Sequence, residues 1–177
     1  MQYISHYNSP IGDIAIKSDG QSIFGLWFDG QRFPSSSDFV SPVVEETRKW
    51  LDIYFSGRNP DFIPKLQIEG TPFQQSVWKI LQTIPYGQTT TYGEIAKIIA
   101  RQKGISRMSA QAVGNAVGQN PFPIIIPCHR VIGTNGKLVG YGGGLDRKIK
   151  LLELEGIRIT FSDSNHKSCN PNNNQDY

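Results

Sequence analysis

Asn120-Pro121-Phe122-Pro123-Ile124-Ile125-Ile126-Pro127-Cys128-His129-Arg130-Val131 is the stretch from which the rest of this 177-residue chain can be read. Three consecutive β-branched residues predict a short strand buried on both faces. Prolines fence it, and Pro127, with no N–H to donate, marks its end or a sheet edge. Cys128 is then delivered from the end of a stiff, buried element. In such a place it reads as a small buried hydrophobe, or as a nucleophile, because a base (His129) and a cation (Arg130) follow at once and favour the thiolate. Successive side chains of a strand face opposite ways. A direct bond between Cys128 and His129 therefore needs a turn, and otherwise a bridging water.

Downstream, Val131-Ile132 and Leu138-Val139 flank Thr134-Asn135-Gly136-Lys137, and Asn-Gly between apolar pairs predicts a hairpin. Residues 140–144 form a glycine-rich loop. Residues 145–155 predict a last helix with Leu145, Ile149 and Leu152 inward and Gly156 beyond its end. From residue 162 the chain is polar and asparagine-rich and is expected to be a disordered tail carrying Cys169.

Upstream, Thr71-Pro72-Phe73-Gln74 is a capping box with proline at the first helical position. Phe73, Val77, Ile80, Leu81 and Ile84 continue it as one apolar stripe. Thr91-Tyr92-Gly93-Glu94 is a second capping box, opening a helix with Ile95, Ile98 and Ile99 inward and closed by Gly104. Ser109 caps a third helix, from residue 110 to about 118, whose small residues let another backbone approach. Two short helices around a glycine-containing turn resemble a helix-turn-helix, and the following hairpin would be its wing. Close helix packing alone would also account for the alanines and glycines.

Residues 3–28 alternate apolar and polar, with turns at Ser9-Pro10-Ile11-Gly12 and Asp19-Gly20 and an end at Asp29-Gly30. This predicts a three-stranded antiparallel meander, with His6 on its surface. A serine-rich loop spans residues 34–38. Ser41-Pro42 then opens a helix with Val43, Thr47, Trp50, Leu51 and Tyr54 on one face, ended by Gly57. Residues 58–70 read as the connection between two domains: an N-terminal α/β domain at 1–69 and a C-terminal domain at 70–161, followed by the tail at 162–177.

Charge divides the chain in the same way. Residues 1–70 hold six Lys/Arg and nine Asp/Glu, whereas residues 71–158 hold eleven and four. The basic half also carries Cys128, which points to a polyanionic partner; a solvated basic face is the plainer alternative. No run reaches the ~18 apolar residues of a membrane helix, and no signal pattern precedes the first strand. Two cysteines make no disulfide framework. The expectation is a monomeric protein of a reducing, cytoplasmic compartment, with no membrane association.

Pro127-Cys128-His129-Arg130-Val131 resembles the active-site motif of the O6-alkylguanine-DNA alkyltransferases. The resemblance extends over Thr71-Pro72-Phe73-Gln74, Thr91-Tyr92-Gly93-Glu94-Ile95-Ala96, Ala112-Val113-Gly114, Asn120-Pro121, Tyr141-Gly142-Gly143-Gly144-Leu145, Lys148 and Glu155-Gly156, nearly all of residues 70–157. It implies an α+β chain. The N-terminal sheet and helix would be ribonuclease H-like, and the C-terminal domain a winged helix-turn-helix. It further implies single-turnover repair of O6-alkylguanine, and of O4-alkylthymine, in double-stranded DNA bound from the minor-groove side, with neither cofactor nor metal. Cys128 would take the alkyl group, His129 would deprotonate it through a water, Glu155 would orient His129, and Tyr92 would protonate the departing guanine. Backbone groups of Cys128, Val131 and Gly142 would hold the base, Tyr141 would close over it, Lys148 would support the loop, and Asn120 would tie the helix-turn-helix to the cysteine. Thr91, Ala110, Gln111 and Arg130 would contact DNA. Gln111 stands where much of the family has an arginine that fills the gap left by the flipped base, and Gly142 where some relatives have serine; the N-terminal zinc ligands of some members are absent. A non-catalytic lesion-binding relative is the alternative, but there tryptophan typically replaces the cysteine. A cysteine hydrolase is a third reading, distinguished by turnover.

Overall fold

β1 (Tyr3–Ser9), β2 (Gly12–Ser18) and β3 (Ile23–Phe28) form the expected antiparallel meander in the order β1-β2-β3. The computed structural model describes residues 1–31 and 39–159; the serine-rich loop, the polar tail with Cys169 and the boundary at 161 lie outside the described residues. Ile14, Ile16, Leu26 and Phe28 bury the inner face of the sheet. α1 (Pro42–Phe55), capped by Ser41, contributes Val43, Val44, Thr47, Trp50, Leu51 and Tyr54 to the core, the predicted face together with Val44. The connecting segment runs along the free edge of β3. The Ile23 N–H bonds to the Lys65 carbonyl and the Gln67 N–H to the Ile23 carbonyl, both at 2.8 Å, so an otherwise unpaired edge is covered.

The second half packs α2 (Pro72–Leu81), α3 (Tyr92–Lys103) and α4 (Ala110–Gly118) against one another, with α5 (Leu145–Leu154) behind the cysteine. A strand of two residues, β4 (Thr90–Thr91), leads directly into α3. Both capping boxes form, and Gly104 ends α3 in the left-handed region at φ 64°. The Trp78 indole N–H bonds to the Ala116 carbonyl at 2.8 Å, locking α2 to α4. Two inward assignments are corrected. Ile98 is 37% exposed and Leu145 44%. The buried face of α3 is Ile95, Ala96, Ile99 and Ala100, which places Ile98 off its edge; in α5 the inward positions are Lys148, Leu151 and Leu152, with Leu145 at the exposed first residue. No helix among the described residues is long and apolar enough to cross a membrane.

The isoleucine run departs from expectation. Ile124, Ile125 and Ile126 are buried, but they lie in consecutive turns and not in a strand. Three prolines in seven residues remove the donors a ladder needs, and the Ile126 N–H closes back on the Phe122 carbonyl at 2.9 Å. Ile124 adopts φ 73°, a conformation that costs a β-branched residue about 1–3 kcal/mol and is held here by a fully packed core. The strand that does follow is β5 (Val131–Ile132), which pairs parallel with β4. The Asn-Gly turn forms, with Asn135 at φ 60° and Gly136 at φ 74°, the signature of a type I′ turn. Leu138-Val139 nevertheless forms no strand. The Val131 and Val139 carbonyls instead accept from the Lys148 ammonium.

Candidate active site

Cys128 is placed by a sequence of tight turns. Beyond α4, Asn120 receives the Phe122 N–H on its side-chain oxygen at 3.0 Å and donates its amide to the Ile126 carbonyl at 2.8 Å. Pro127, at φ −80° and ψ 65°, makes an inverse γ-turn in which the Cys128 N–H bonds to the Ile126 carbonyl at 2.8 Å. A single 3₁₀ turn, Cys128–Arg130, follows. At three residues per turn, consecutive side chains diverge by about 120°. Cys128 therefore lines a cavity while His129 is fully buried behind it.

That cavity has a volume of about 930 Å³ and is built by both halves of the chain. Leu26, Trp27 and Phe28 of β3 line it, with Tyr92, Gly114, Asn120, Cys128 and the 140–143 loop. The halves are joined next to it by the Leu26 N–H, which bonds to the Pro121 carbonyl at 2.9 Å. The Gln31 amide reaches the Gly142 carbonyl at 3.1 Å, and Arg147 holds the Gly143 carbonyl, the Ile11 carbonyl and Asp29 together. Gly143 must be glycine here: a Cβ would stand 2.6 Å from the Phe28 ring and 2.8 Å from that of Tyr141.

Behind the thiol lies a closed polar network. The His129 Nε2 is 2.6 Å from Glu155 Oε1. Arg130 donates to both carboxylate oxygens, at 2.9 and 3.1 Å, and to the Ile84 carbonyl at 2.7 Å. The Gly87 N–H donates to Glu155 Oε2 at 3.0 Å, and the Tyr54 hydroxyl to Oε1 at 2.7 Å. The expectation that Arg130 contacts DNA is thus corrected: its guanidinium is buried and neutralises Glu155. Tyr54, Gly87 and the true partner of Arg130 escaped the sequence reading. For Tyr54 one signal was available, since a buried tyrosine hydroxyl usually finds a partner.

Burial raises the Cys128 thiol above its ordinary value, although Asn120, the Lys148 charge and the nearby N–H groups favour the thiolate. At rest it is therefore protonated. Burial lowers His129, against the opposing pull of Glu155, and so favours the neutral imidazole. Glu155 moves the other way. Burial alone would raise it, but the donors from His129, Arg130 and Gly87 bring it down to about 2. A protonated thiol in front of a neutral, carboxylate-backed imidazole is the resting state that general-base activation requires. The His129 Nδ1 has no hydrogen-bond partner among the described residues, and it is the basic nitrogen of the tautomer whose Nε2–H faces Glu155.

Tyr92, at the start of α3, lines the same cavity, and its hydroxyl is at the 3.5 Å limit of a bond to the Val139 carbonyl. Burial, and then the Cys128 charge, raise its pKa, so it keeps its proton. Tyr141 lines the cavity as well, with its hydroxyl buried. Lys148 is wholly buried beneath the loop, where its ammonium donates to the carbonyls of Val131 (2.6 Å), Val139 (3.0 Å) and Gly140 (3.5 Å). Any base edge that used the Val131 carbonyl would share it with this ammonium. The Thr91 side chain caps α3. Ala110 and Gln111 lie exposed on the first turn of α4, with Arg101, Lys103 and Arg107 exposed nearby in sequence.

Residues 72–157 match the family model described as 6-O-methylguanine DNA methyltransferase, DNA binding domain. That places the three-helix half and its cysteine in the class of DNA-acting methyltransferases. Over 158 residues the chain is 45% identical to the methylated-DNA–protein-cysteine methyltransferase of Methanosarcina acetivorans, covering 87% of this chain and 98% of the relative. It is 40% identical over 175 residues to that of Haemophilus influenzae, covering 96% and 93%. Among solved structures it resembles Mycobacterium tuberculosis OGT in complex with DNA, with TM-score 0.74, 44% identity and coverage of 86% and 91%. The chain belongs to the methylated-DNA–protein-cysteine methyltransferase family, enzymes of DNA repair by alkyl transfer.

Proposed function

We propose that Cys128 accepts the alkyl group of O6-alkylguanine, and of O4-alkylthymine, from double-stranded DNA in a single, irreversible event. The observation that carries this reading is the Cys128 thiol facing the cavity with the His129–Glu155 pair sealed behind it. The target carbon is out of reach inside stacked DNA, so the nucleotide is flipped into the cavity at a cost of about a few kcal/mol. Neutral His129 takes the thiol proton through a bridging water. The sulfur attacks the alkyl carbon, the S–C bond forms, and the C–O6 bond breaks with its electron pair leaving on guanine. Tyr92 supplies the proton that guanine needs as a leaving group, and the proton held on His129 restores it. A thioether offers no easy leaving group, so the chain is consumed.

In the same reading the N-terminal half is a ribonuclease H-like domain and the C-terminal half a winged helix-turn-helix domain. The latter approaches DNA from the minor-groove side as a cytoplasmic monomer. Tyr141, Gly142 and the backbone of Val131 hold the base, and Ala110, Gln111 and Thr91 lie at the DNA. The test is intact mass after incubation with O6-methylguanine DNA. One methylene is gained, on the peptide that contains Cys128, and no more with longer incubation. A repeated, catalytic loss of methyl from DNA would instead indicate hydrolysis.

Two expected results concern DNA. Binding to undamaged duplex weakens steeply between low and physiological salt and shows little sequence preference, because phosphate contacts release counterions. A flat salt dependence would count against the basic face. Gln111→Arg accelerates transfer on duplex DNA severalfold, because a planar cation both stacks and hydrogen bonds in the gap left by the flipped base. It leaves the rate on free O6-benzylguanine, which needs no flipping, unchanged. Equal changes on both substrates would place Gln111 at the active site and not in the gap.

A further inference from the structure

Tyr54 belongs to the N-terminal half, on α1, yet its side chain ends inside the network behind Cys128. Its ring is fully buried, stacks on Trp50 at 5.5 Å, and meets His129 and Tyr86 edge-on at 6.2 and 6.1 Å. Its hydroxyl donates to Glu155 Oε1 at 2.7 Å and stands 3.2 Å from His129 Nε2. A phenol has one proton to give. With that proton on Glu155, the hydroxyl presents a lone pair to Nε2, which then faces two acceptors, Tyr54 Oη and Glu155 Oε1. A ring nitrogen between two acceptors carries the proton, which leaves Nδ1 as the free base.

We propose that Tyr54 is a positioning residue for alkyl transfer, through which the N-terminal half holds the Glu155 carboxylate and fixes the orientation and tautomer of His129. The inference rests on the assignment of Cys128 as acceptor and His129 as base, and deepens it. The remaining charged or titratable groups around the pair are Arg130 on the 3₁₀ turn, Lys148 on α5, Cys128, Tyr86 and Tyr141. None of them presents an acceptor oxygen to His129 Nε2 among the described hydrogen bonds, so Tyr54 alone shares that position with Glu155.

Tyr54→Phe keeps the ring and removes the hydroxyl. Single-turnover methyl transfer from O6-methylguanine DNA is measured for both proteins from pH 6.5 to 9. At pH 7 the variant is slower by roughly tenfold or more, the effect of one hydrogen bond to a charged group. As pH rises toward the raised value of the Cys128 thiol, the thiolate fraction grows without help from His129, and the deficit of the variant narrows steadily, a rescue that follows from thiolate reactivity. Burial draws Lys148 down to about 8, so it also titrates in this range; it does so in both proteins, and the ratio of rates is therefore the quantity compared. A ratio that stays constant with pH means a packing role only and overturns the proposal, as does an unchanged rate. Should the variant fail to fold, nitrogen NMR of the parent decides: Nε2–H with an unprotonated Nδ1 is expected on His129, and the opposite tautomer overturns the assignment. A parent that gains no methyl defeats the functional reading itself, an outcome distinct from a parent that reacts with a pH-independent Tyr54→Phe deficit.

Discussion

Cys128→Ala and Cys128→Ser proteins transfer no alkyl group, yet bind duplex DNA as the parent does. The loss is complete because the cavity offers one thiol, and Cys128 is the single cysteine among the described residues. Serine does not substitute. A hydroxyl is far less acidic than a thiol, and an imidazole poised to receive a thiol proton cannot ionise it at neutral pH. On the proposed reading binding survives, because phosphate contacts are assigned to exposed basic residues such as Arg101, Lys103 and Arg107 and not to the thiol. The cost in stability is small for either change, since the side chain is short and lines the cavity. Mass spectrometry and a binding titration on the same preparation check both halves of this expectation. Methyl transfer that persists in the alanine protein, or moves to Cys169, would remove Cys128 from the chemistry.

Glu155→Gln has the second large effect, and it falls on stability as well as rate. The carboxylate neutralises Arg130, whose guanidinium is buried and, among the described residues, has one further hydrogen-bond partner, the Ile84 carbonyl, beside the Tyr86 ring at 5.7 Å. An amide in its place turns one end toward the donors of Arg130, His129 or Tyr54 as a competing donor and leaves the guanidinium uncompensated. Breaking a buried pair in this way costs about 3–5 kcal/mol, which lowers the melting temperature of a chain of this size by roughly 10 °C. Transfer slows in parallel, because the imidazolium formed on deprotonating Cys128 has lost its counter-charge. The pH dependence separates the charge from the shape. Glu155 sits at about 2 in the folded chain, below its ordinary 4.5. A depressed carboxylate stabilises the fold fully above its unfolded value and loses that contribution as pH falls from about 4.5 toward 2. The parent therefore loses stability across this window, and the glutamine protein loses less. Superimposable acid limbs, or equal melting temperatures at pH 7, would show that Glu155 is not the counter-ion that the geometry makes it.

The elements legible in the sequence are those specified by neighbours a few residues apart. Thr71 with Gln74, Thr91 with Glu94, and Ser109 each satisfy orphan amides of their own first turn, and such caps need no tertiary partner. Turns that demand positive φ, at Gly20, Gly104, Asn135 and Gly136, are likewise local. The alternation in residues 3–28 sufficed for the meander, though not for the register shift between Lys17 and Ser18. Cys128, His129 and Glu155 were legible through the spaced motifs around them.

Tertiary structure decided whatever depended on which distant group meets a polar atom. Ile124-Ile125-Ile126 has the composition of a strand, but Pro121, Pro123 and Pro127 around it remove flanking donors that a ladder would need, and it packs as turns, with the Ile126 N–H on the Phe122 carbonyl. Leu138-Val139 did not pair with Val131-Ile132, because the ammonium of Lys148 competes for their carbonyls. Arg130 carries the charge expected of a DNA contact, yet burial beside Glu155 directs it inward. Tyr54 lies 101 residues before Glu155, and on its own helix it is one more member of an apolar face. Only when the N-terminal sheet and α1 close against the 3₁₀ turn does its hydroxyl enter the network behind Cys128. Burial requires such a hydroxyl to find a partner, but the sequence carries no record of which one: hydrogen bonds between side chains far apart in the chain are set by packing geometry and not by spacing.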